Sequence, residues 1–445
     1  MRQSIGLYWY TCDLRVQDNN LLNQAATEVD ALLCCYCLPQ WNAFIRHFSQ
    51  QRAFALQKQA FLMESLNALS ESLATFNQAL IICSGQAEEV LSRFIDRYGI
   101  THLYCDRFAG INEQRVVERI AERYPQLTVV QQSVRTLFND QRIPFELNDL
   151  PQSFTQFRKK VDQLPVGVDF GIEVLPKPID ADLQDEPLVE DIPACIWFEG
   201  GEAAGIRHCQ RYFSSSLASQ YKQTRNGLDG RDSSTKFSPW LALGCVSPKR
   251  VASYLAQYER DHGANESTGW IYFELLWREY FYWYGRRYVA KLFRFSGLGD
   301  VAPLTSFYSS RFLMWTNGNT PFSIVNACMK QLNQTGYLSN RGRQLAASCL
   351  IHELNIDWRY GAAYFESQLI DYDVASNWGN WQYLAGVGSD QRGSRRFDLE
   401  KQAELYDPQG QFTQRWNGEK TVNVCHSIDS VDMVDWPLSK EINDE

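Results

Sequence analysis

Residues 371–381 read DYDVASNWGNW and put two acids, side-chain amides and two tryptophans into one short stretch. Close upstream stand Asn340–Gln344 (NRGRQ), with Arg341 and Arg343 two positions apart, and Asp357–Arg359 (DWR). Such a mixture builds a plain core poorly, because buried carboxylates and guanidinium groups are costly unless paired or bound to a charged ligand. It is suited to a redox-active aromatic cofactor, with Asp371 and Arg343 paired beside a ring whose charge changes on reduction. Trp358 and Trp381, 23 residues apart on separate expected helices, are readily oxidised indoles that could feed such a ring electrons. The competing readings are structural ion pairs for the charges and core packing for the indoles.

Two further segments could serve the same site. Residues 270–288 read WIYFELLWREYFYWYGRRY, and helical spacing puts Glu274, Trp277, Arg278 and Phe281 on adjoining faces. An aromatic helix is ordinarily a core helix, but Glu274 and Arg278 then need partners, either each other or polar groups of a ligand. Residues 230–246 read GRDSSTKFSPWLALGCV and set Ser233, Ser234, Thr235 and Ser238 ahead of an apolar helix with Pro239 at its start. Hydroxyls and free N–H groups there can take a phosphate, or can simply cap the helix. Arg286, Arg287, Lys291 and Arg294, and then Arg392, Arg395 and Arg396, are two basic stretches. They are surface charge by default, and beside an aromatic pocket they would suit the backbone of single-stranded nucleic acid.

The rest of the chain must position these residues. Its 445 residues suffice for two to three domains. Trp9 and Trp41 are the only tryptophans before Trp197, and eleven of the thirteen lie at or after it, so the two halves differ in kind. The net charge of −9 argues against a general nucleic-acid coat. Six scattered His and no CxxC pair give no expected metal site. Cys34, Cys35 and Cys37 in one apolar run read as thiols of a buried strand, not a disulfide framework. A first strand starting by Ile5 leaves no space for a signal peptide, and no apolar run reaches about 18 residues; the expected location is the cytoplasm.

Residues 1–133 alternate strand signals (Ile5–Tyr10, Ala31–Leu38, Ala79–Cys83, His102–Cys105, Thr128–Val130) with helical patterns (Gln50–Phe76, Ala87–Tyr98, Glu113–Tyr124). That alternation implies a doubly wound parallel sheet, an α/β domain. Neither GxGxxG nor a Walker loop is present. Residues 139–195 hold seven of the fifteen prolines and read as a connector with a short helix at Ser153–Val161. From Gly200 to about Asp398 the period is helical, and the tail after Trp416 is short and polar.

Together these segments resemble the photolyase/cryptochrome family, its DASH branch above all. The resemblance rests on YWYTCDLRVQD (8–18), YKQTRNG (221–227), SPWLALGCVSP (238–248), TGYLSNRGRQ (335–344), DYDVASNWGNWQYLAGVG (371–388) and DPQG (407–410). It implies an α/β antenna domain (1–133), a connector (134–199), an all-α FAD-binding domain (200–416) and a polar tail (417–445). It further implies one bent FAD, held by Tyr221, Ser234, Thr235, Lys236, Phe237 and Ser238 along its phosphates and ribityl chain. Arg278, Arg343, Asp371 and Asp373 would line its ring, and Asn377 would face the ring nitrogen N5. Trp381 and then Trp358 would be the inner electron donors. Glu274, Trp277, Arg225, Asn340 and Arg341 would meet a flipped pyrimidine dimer and its backbone.

The implied activity is blue-light-driven repair of cyclobutane pyrimidine dimers by a monomer. The alternative is a blue-light receptor that binds DNA or a partner with little repair. Ordinary photolyases of the family carry Trp and Met where this chain has Tyr383 and Gln344, which implies a preference for single-stranded DNA. A folate antenna, 5,10-methenyltetrahydrofolate, would be contacted by Asn112, Glu113 and Lys291. The chain departs from the family pattern at Thr11-Cys12, and at Thr305, where the outer tryptophan of the electron chain stands; Phe307 and Tyr308 are the aromatic residues beside it.

Overall fold

The computed structural model describes residues 3–167, 171–179, 194–389, 393 and 395–421. Five strands, β1 (Ile5–Tyr10), β2 (Ala31–Cys37), β3 (Leu80–Cys83), β4 (His102–Asp106) and β5 (Thr128–Gln132), form a sheet in the order β3-β2-β1-β4-β5. Every pairing is parallel. A two-residue strand, Lys177–Pro178, pairs with the start of β2 where β3 does not reach. Parallel strands are joined by crossovers that cover both faces, so IGLYWY and ALLCCYC are apolar throughout rather than alternating.

The two faces bury different cores. Leu7, Trp9, Leu33 and Cys35 point to one side, under the helices Ala87–Tyr98 and Ile111–Arg123. Tyr8, Tyr10, Leu32, Cys34 and Tyr36 point to the other, into a core continuous with the helical half of the molecule. The period of two along a strand therefore welds the α/β domain to the helical one. Arg15 reinforces the joint by donating to Gly244 O at 3.0 Å and Val134 O at 2.7 Å. Gly244 is obligatory there: its φ is +68°, and a Cβ would lie 2.0 Å from Cys12 O.

One expected helix is shorter than its pattern. Of Gln50–Phe76 only Leu56–Ala74 is helical; a separate helix, Ala43–Ser49, lies before that range and is closed by Gln50 in a left-handed backbone (φ 55°). Among the described residues, the connector packs against the core. Its helix Phe154–Val161 buries Phe154, Phe157 and Val161, and Leu150 is buried just before it. The stretches 168–170 and 180–193 of the connector, and the tail from 422 on, lie outside the described residues. Every described cysteine is a free thiol.

In the helical half, Glu266–Tyr288 starts from a capping box made by Asn265 and Thr268. It packs against Val374–Ala385, which in turn packs against Trp358–Gln368. Asn340–Ser348 runs on into a π-helical turn, Cys349–Glu353.

Candidate functional site

These helices enclose a cavity of about 440 Å³. Its wall includes Tyr221, the run Ser234–Ser238, Glu274, Trp277, Arg278, Asn340, Arg343, Asp371, Asp373, Asn377 and Trp381. Residues from five separate sequence segments thus converge on one space, which core packing alone does not require.

Asp371 and Arg343 pair at 2.6 Å, with the Asp371 side chain buried. Arg343 Nε also donates to Leu338 O at 2.8 Å. Asp371 Oδ1 has no hydrogen-bond partner, so the site keeps a buried acceptor for something else. Asp373 caps Val374–Ala385, accepting from Ser376 N at 2.8 Å, and its other oxygen is 3.6 Å from Arg135. Burial alone would push the Asp373 carboxyl up, but Arg135 and Arg278 outweigh it and hold the group below its ordinary value.

Glu274 and Arg278 do not pair with each other. Glu274 meets Arg225 at 2.9 Å, whereas Arg278 donates to Arg135 O at 2.5 Å and Leu241 O at 3.0 Å. Burial pushes the Glu274 carboxyl up, with Arg225 pulling the other way. Trp277 is fixed by Phe154, stacked on it at 3.8 Å and 9°. In the hydroxyl-rich run, Lys236 has φ +54° and reaches Ser233 and Ser234 hydroxyls at 3.1 Å each. A buried lysine with hydroxyl partners suits a phosphate better than a bare helix cap does.

Asn377 Nδ2 donates to Ala362 O at 2.9 Å, so Oδ1 is the amide atom available to a ligand. Trp381 is buried, and its six-membered edge rests on Gly361, one turn along the helix from Trp358. A Cβ at Gly361 would come 2.2 Å from that ring. Gly361→Ala is therefore expected to displace Trp381, to cost about 1–3 kcal/mol of stability, and to slow any electron transfer through the indole. Thermal melts with time-resolved absorption check this; wild-type kinetics in a stable variant would contradict it.

Arg341 is beside the cavity rather than in its wall, held by Gln402 at 3.2 Å and lying over the rings of Tyr406 and Phe397. Trp358 is buried and does not line the cavity. Asn112, Glu113 and Lys291 are exposed and outside the cavity: Glu113 lies by Gly110 near Val374, and Lys291 O accepts from Gln382 at 2.8 Å. Arg392 lies outside the described residues, while Arg395 sits over the Tyr383 ring at 4.5 Å. Arg135, missed in the sequence, bridges Asp106 at 3.1 Å and Asp373. No local pattern marks it, since its partners lie far along the chain. No group of three metal-ligating side chains occurs among the described residues, and no described helix is long and apolar enough to cross a membrane.

The chain is similar to known proteins in sequence and in fold. Residues 270–427 match the family model of the FAD binding domain of DNA photolyase, and residues 6–178 match that of DNA photolyase. The chain is 53% identical to the cryptochrome DASH of Vibrio parahaemolyticus over 99% of each chain. Among solved structures, the Synechocystis cryptochrome aligns with a TM-score of 0.85 and 36% identity, over 94% of this chain and 89% of that one. A bacterial class III photolyase from Agrobacterium tumefaciens aligns with a TM-score of 0.76 and 26% identity, over 94% and 87%. The cavity chemistry fits the cofactor these matches imply: a buried unsatisfied acceptor, an arginine–aspartate pair for a ring that changes charge, and a hydroxyl run with a buried lysine for phosphates. Matched across both halves, the chain belongs to the DNA photolyase/cryptochrome family, in its cryptochrome DASH branch, and its helical half is an FAD-binding domain.

Proposed function

We propose that this protein repairs cyclobutane pyrimidine dimers in single-stranded DNA under blue light. Reduced FAD, when bound, supplies an electron on excitation and takes it back after the dimer ring has opened. The chain does the rest. Ser234–Ser238 and Tyr221 hold the phosphate and ribityl part, and Arg343, Asp371, Arg278 and Asp373 flank the ring. Asn377 Oδ1 accepts from the ring nitrogen that carries a proton only after reduction. Trp381 and Trp358 return the cofactor to its working redox state.

The observation that carries this reading is Glu274, a carboxyl raised by burial, beside Trp277 and Arg225 at the edge of the flavin cavity. When protonated, this carboxyl would donate a hydrogen bond to dimer carbonyls as they gain negative charge. When a backbone phosphate engages Arg225, Glu274 loses its opposing cation and its carboxyl is pushed further up. Trp277 stacks on the flipped dimer, while Asn340 and Arg341 meet the backbone. A receptor that binds DNA or a partner with little repair, the second reading, is favoured by the name of the Vibrio relative, but it has no need of a buried acid at this place.

Tyr383 and Gln344 both line the cavity. They offer a flipped dimer less apolar contact than Trp and Met would. Extracting a base from a duplex costs a few kcal/mol, and less from a single strand. An uncompensated cost of about 1.4 kcal/mol is tenfold in affinity. In side-by-side assays, single strands are therefore expected to be repaired at least about tenfold more efficiently at limiting substrate, and equal repair of duplexes would refute the preference. The same reading has a cytosolic monomer with a folate antenna at Asn112, Glu113 and Lys291.

A further inference from the structure

The electron path needs an outer end, and Thr305 cannot be one: its side chain has no oxidisable group. Phe307 is stacked on Tyr360 at 4.1 Å, and Tyr308 lies under the Arg311 guanidinium. The ring that packs against Trp358 is Trp378, at 5.8 Å and 76°. Both indoles are buried, in helices that pack directly on one another.

Trp378 is set up differently from Trp358. The Trp358 N–H donates to a backbone carbonyl, Phe295 O, at 3.0 Å. The Trp378 N–H donates to a carboxylate oxygen, Glu366 Oε2, at 3.0 Å, and to Tyr372 Oη at 3.3 Å. An indole that has lost an electron is a strong acid at this nitrogen. A peptide carbonyl cannot take that proton; a carboxylate can. Lys58 faces the same cluster, donating to Glu366 O and lying 4.5 Å from the Tyr372 ring centre.

Resting on the photolyase-type reading of the flavin site, we propose that Trp378 is the terminal electron donor of this chain and that Glu366 is its proton acceptor. One electron leaves Trp381 for photoexcited flavin, Trp358 refills Trp381, and Trp378 refills Trp358. The Trp378 radical cation then passes its Nε1 proton to the Glu366 carboxylate, leaving a neutral indole radical and a carboxylic acid. A small-molecule thiol later supplies the electron, and the proton returns from Glu366. Loss of the proton removes the charge that would otherwise draw the electron back, so separation lasts. Burial pushes the Glu366 carboxyl up to about 7, while Lys58 and the Tyr372 and Trp378 hydrogen bonds draw it down and Glu113 adds to the rise. Well above pH 7 the acceptor is therefore ionised.

The test is flash photolysis of the flavin-loaded, oxidised protein well above pH 7, comparing wild type with Trp378→Phe and Glu366→Gln. Indole cation and neutral radicals are distinguished by their spectra, and flavin content and circular dichroism verify folding. Wild type is expected to give a long-lived neutral indole radical. Trp378→Phe is expected to lose it and to recombine at least about tenfold faster. Glu366→Gln keeps an acceptor for the N–H but cannot take the proton, so a cation radical is expected to persist in its place. Neutral-radical spectra and lifetimes unchanged in both variants would overturn the proposal. If instead Trp381→Phe left the wild-type radical intact, the flavin-site reading itself would fail.

Discussion

Glu274→Ala is expected to lower light-driven dimer repair about 100-fold while leaving flavin content unchanged. The magnitude is that of removing one preorganised donor from a developing oxyanion, on the order of 10²–10³. Glu274 belongs to the cavity's outer edge with Arg225 and Trp277, not to the group around Asp371, so cofactor retention is not at stake. The sign of the pH dependence follows from protonation. The carboxyl donates only when neutral, and burial raises its pKa with Arg225 opposing. Repair is therefore present at lower pH and falls as pH rises through that raised value. Glu274→Gln carries a neutral donor at every pH and should flatten the profile. A wild-type profile in Glu274→Gln, or undiminished repair in Glu274→Ala, would remove the acid from the mechanism.

Arg343→Ala carries the second large effect. It strips the 2.6 Å partner from a carboxylate whose side chain is only 1% exposed and whose other oxygen has no partner. Breaking a buried pair from one side costs about 3–5 kcal/mol, because the remaining charge is uncompensated. Flavin should be essentially absent from the purified variant, read from the flavin-to-protein absorbance ratio, and the melting temperature should fall. The double variant Arg343→Ala/Asp371→Asn removes the stranded charge. It should recover much of the stability without recovering the flavin, which separates the pair's structural cost from its role toward the cofactor. Full flavin occupancy in Arg343→Ala would contradict the placement of the ring.

How much of this was legible in the sequence depended on how local the signal was. The inner strands β1 and β2 are apolar throughout, and all five fall within two residues of the expected bounds. The segment 371–381 is equally local: Asp371 and Asp373 stand just before the helix Val374–Ala385, and Asn377 and Trp381 lie within it. The helix Ala43–Ser49 was missed and the helix after it was begun six residues early, at Gln50, because the left-handed backbone that closes the first leaves no mark in residue type. Arg135 was invisible because both its carboxylates are tertiary partners, one at the end of β4 and one 238 residues downstream. The proper partners of Glu274 and Arg278 were equally hidden: spacing places two charges on a helix but not the Arg225 side chain or the Leu241 carbonyl that meet them. Glu366 beside Trp378 joins two helices and likewise shows only in three dimensions.

The central claim is that bound flavin drives dimer cleavage, and one measurement addresses it directly. Flavin-replete, reduced protein is mixed with a single-stranded oligonucleotide carrying one thymine dimer, and intact thymines are counted after blue light and after darkness. The account predicts multiple turnovers in the light and none in the dark. A bound, photoreducible flavin with no repair of this substrate would contradict it and leave the receptor reading in its place.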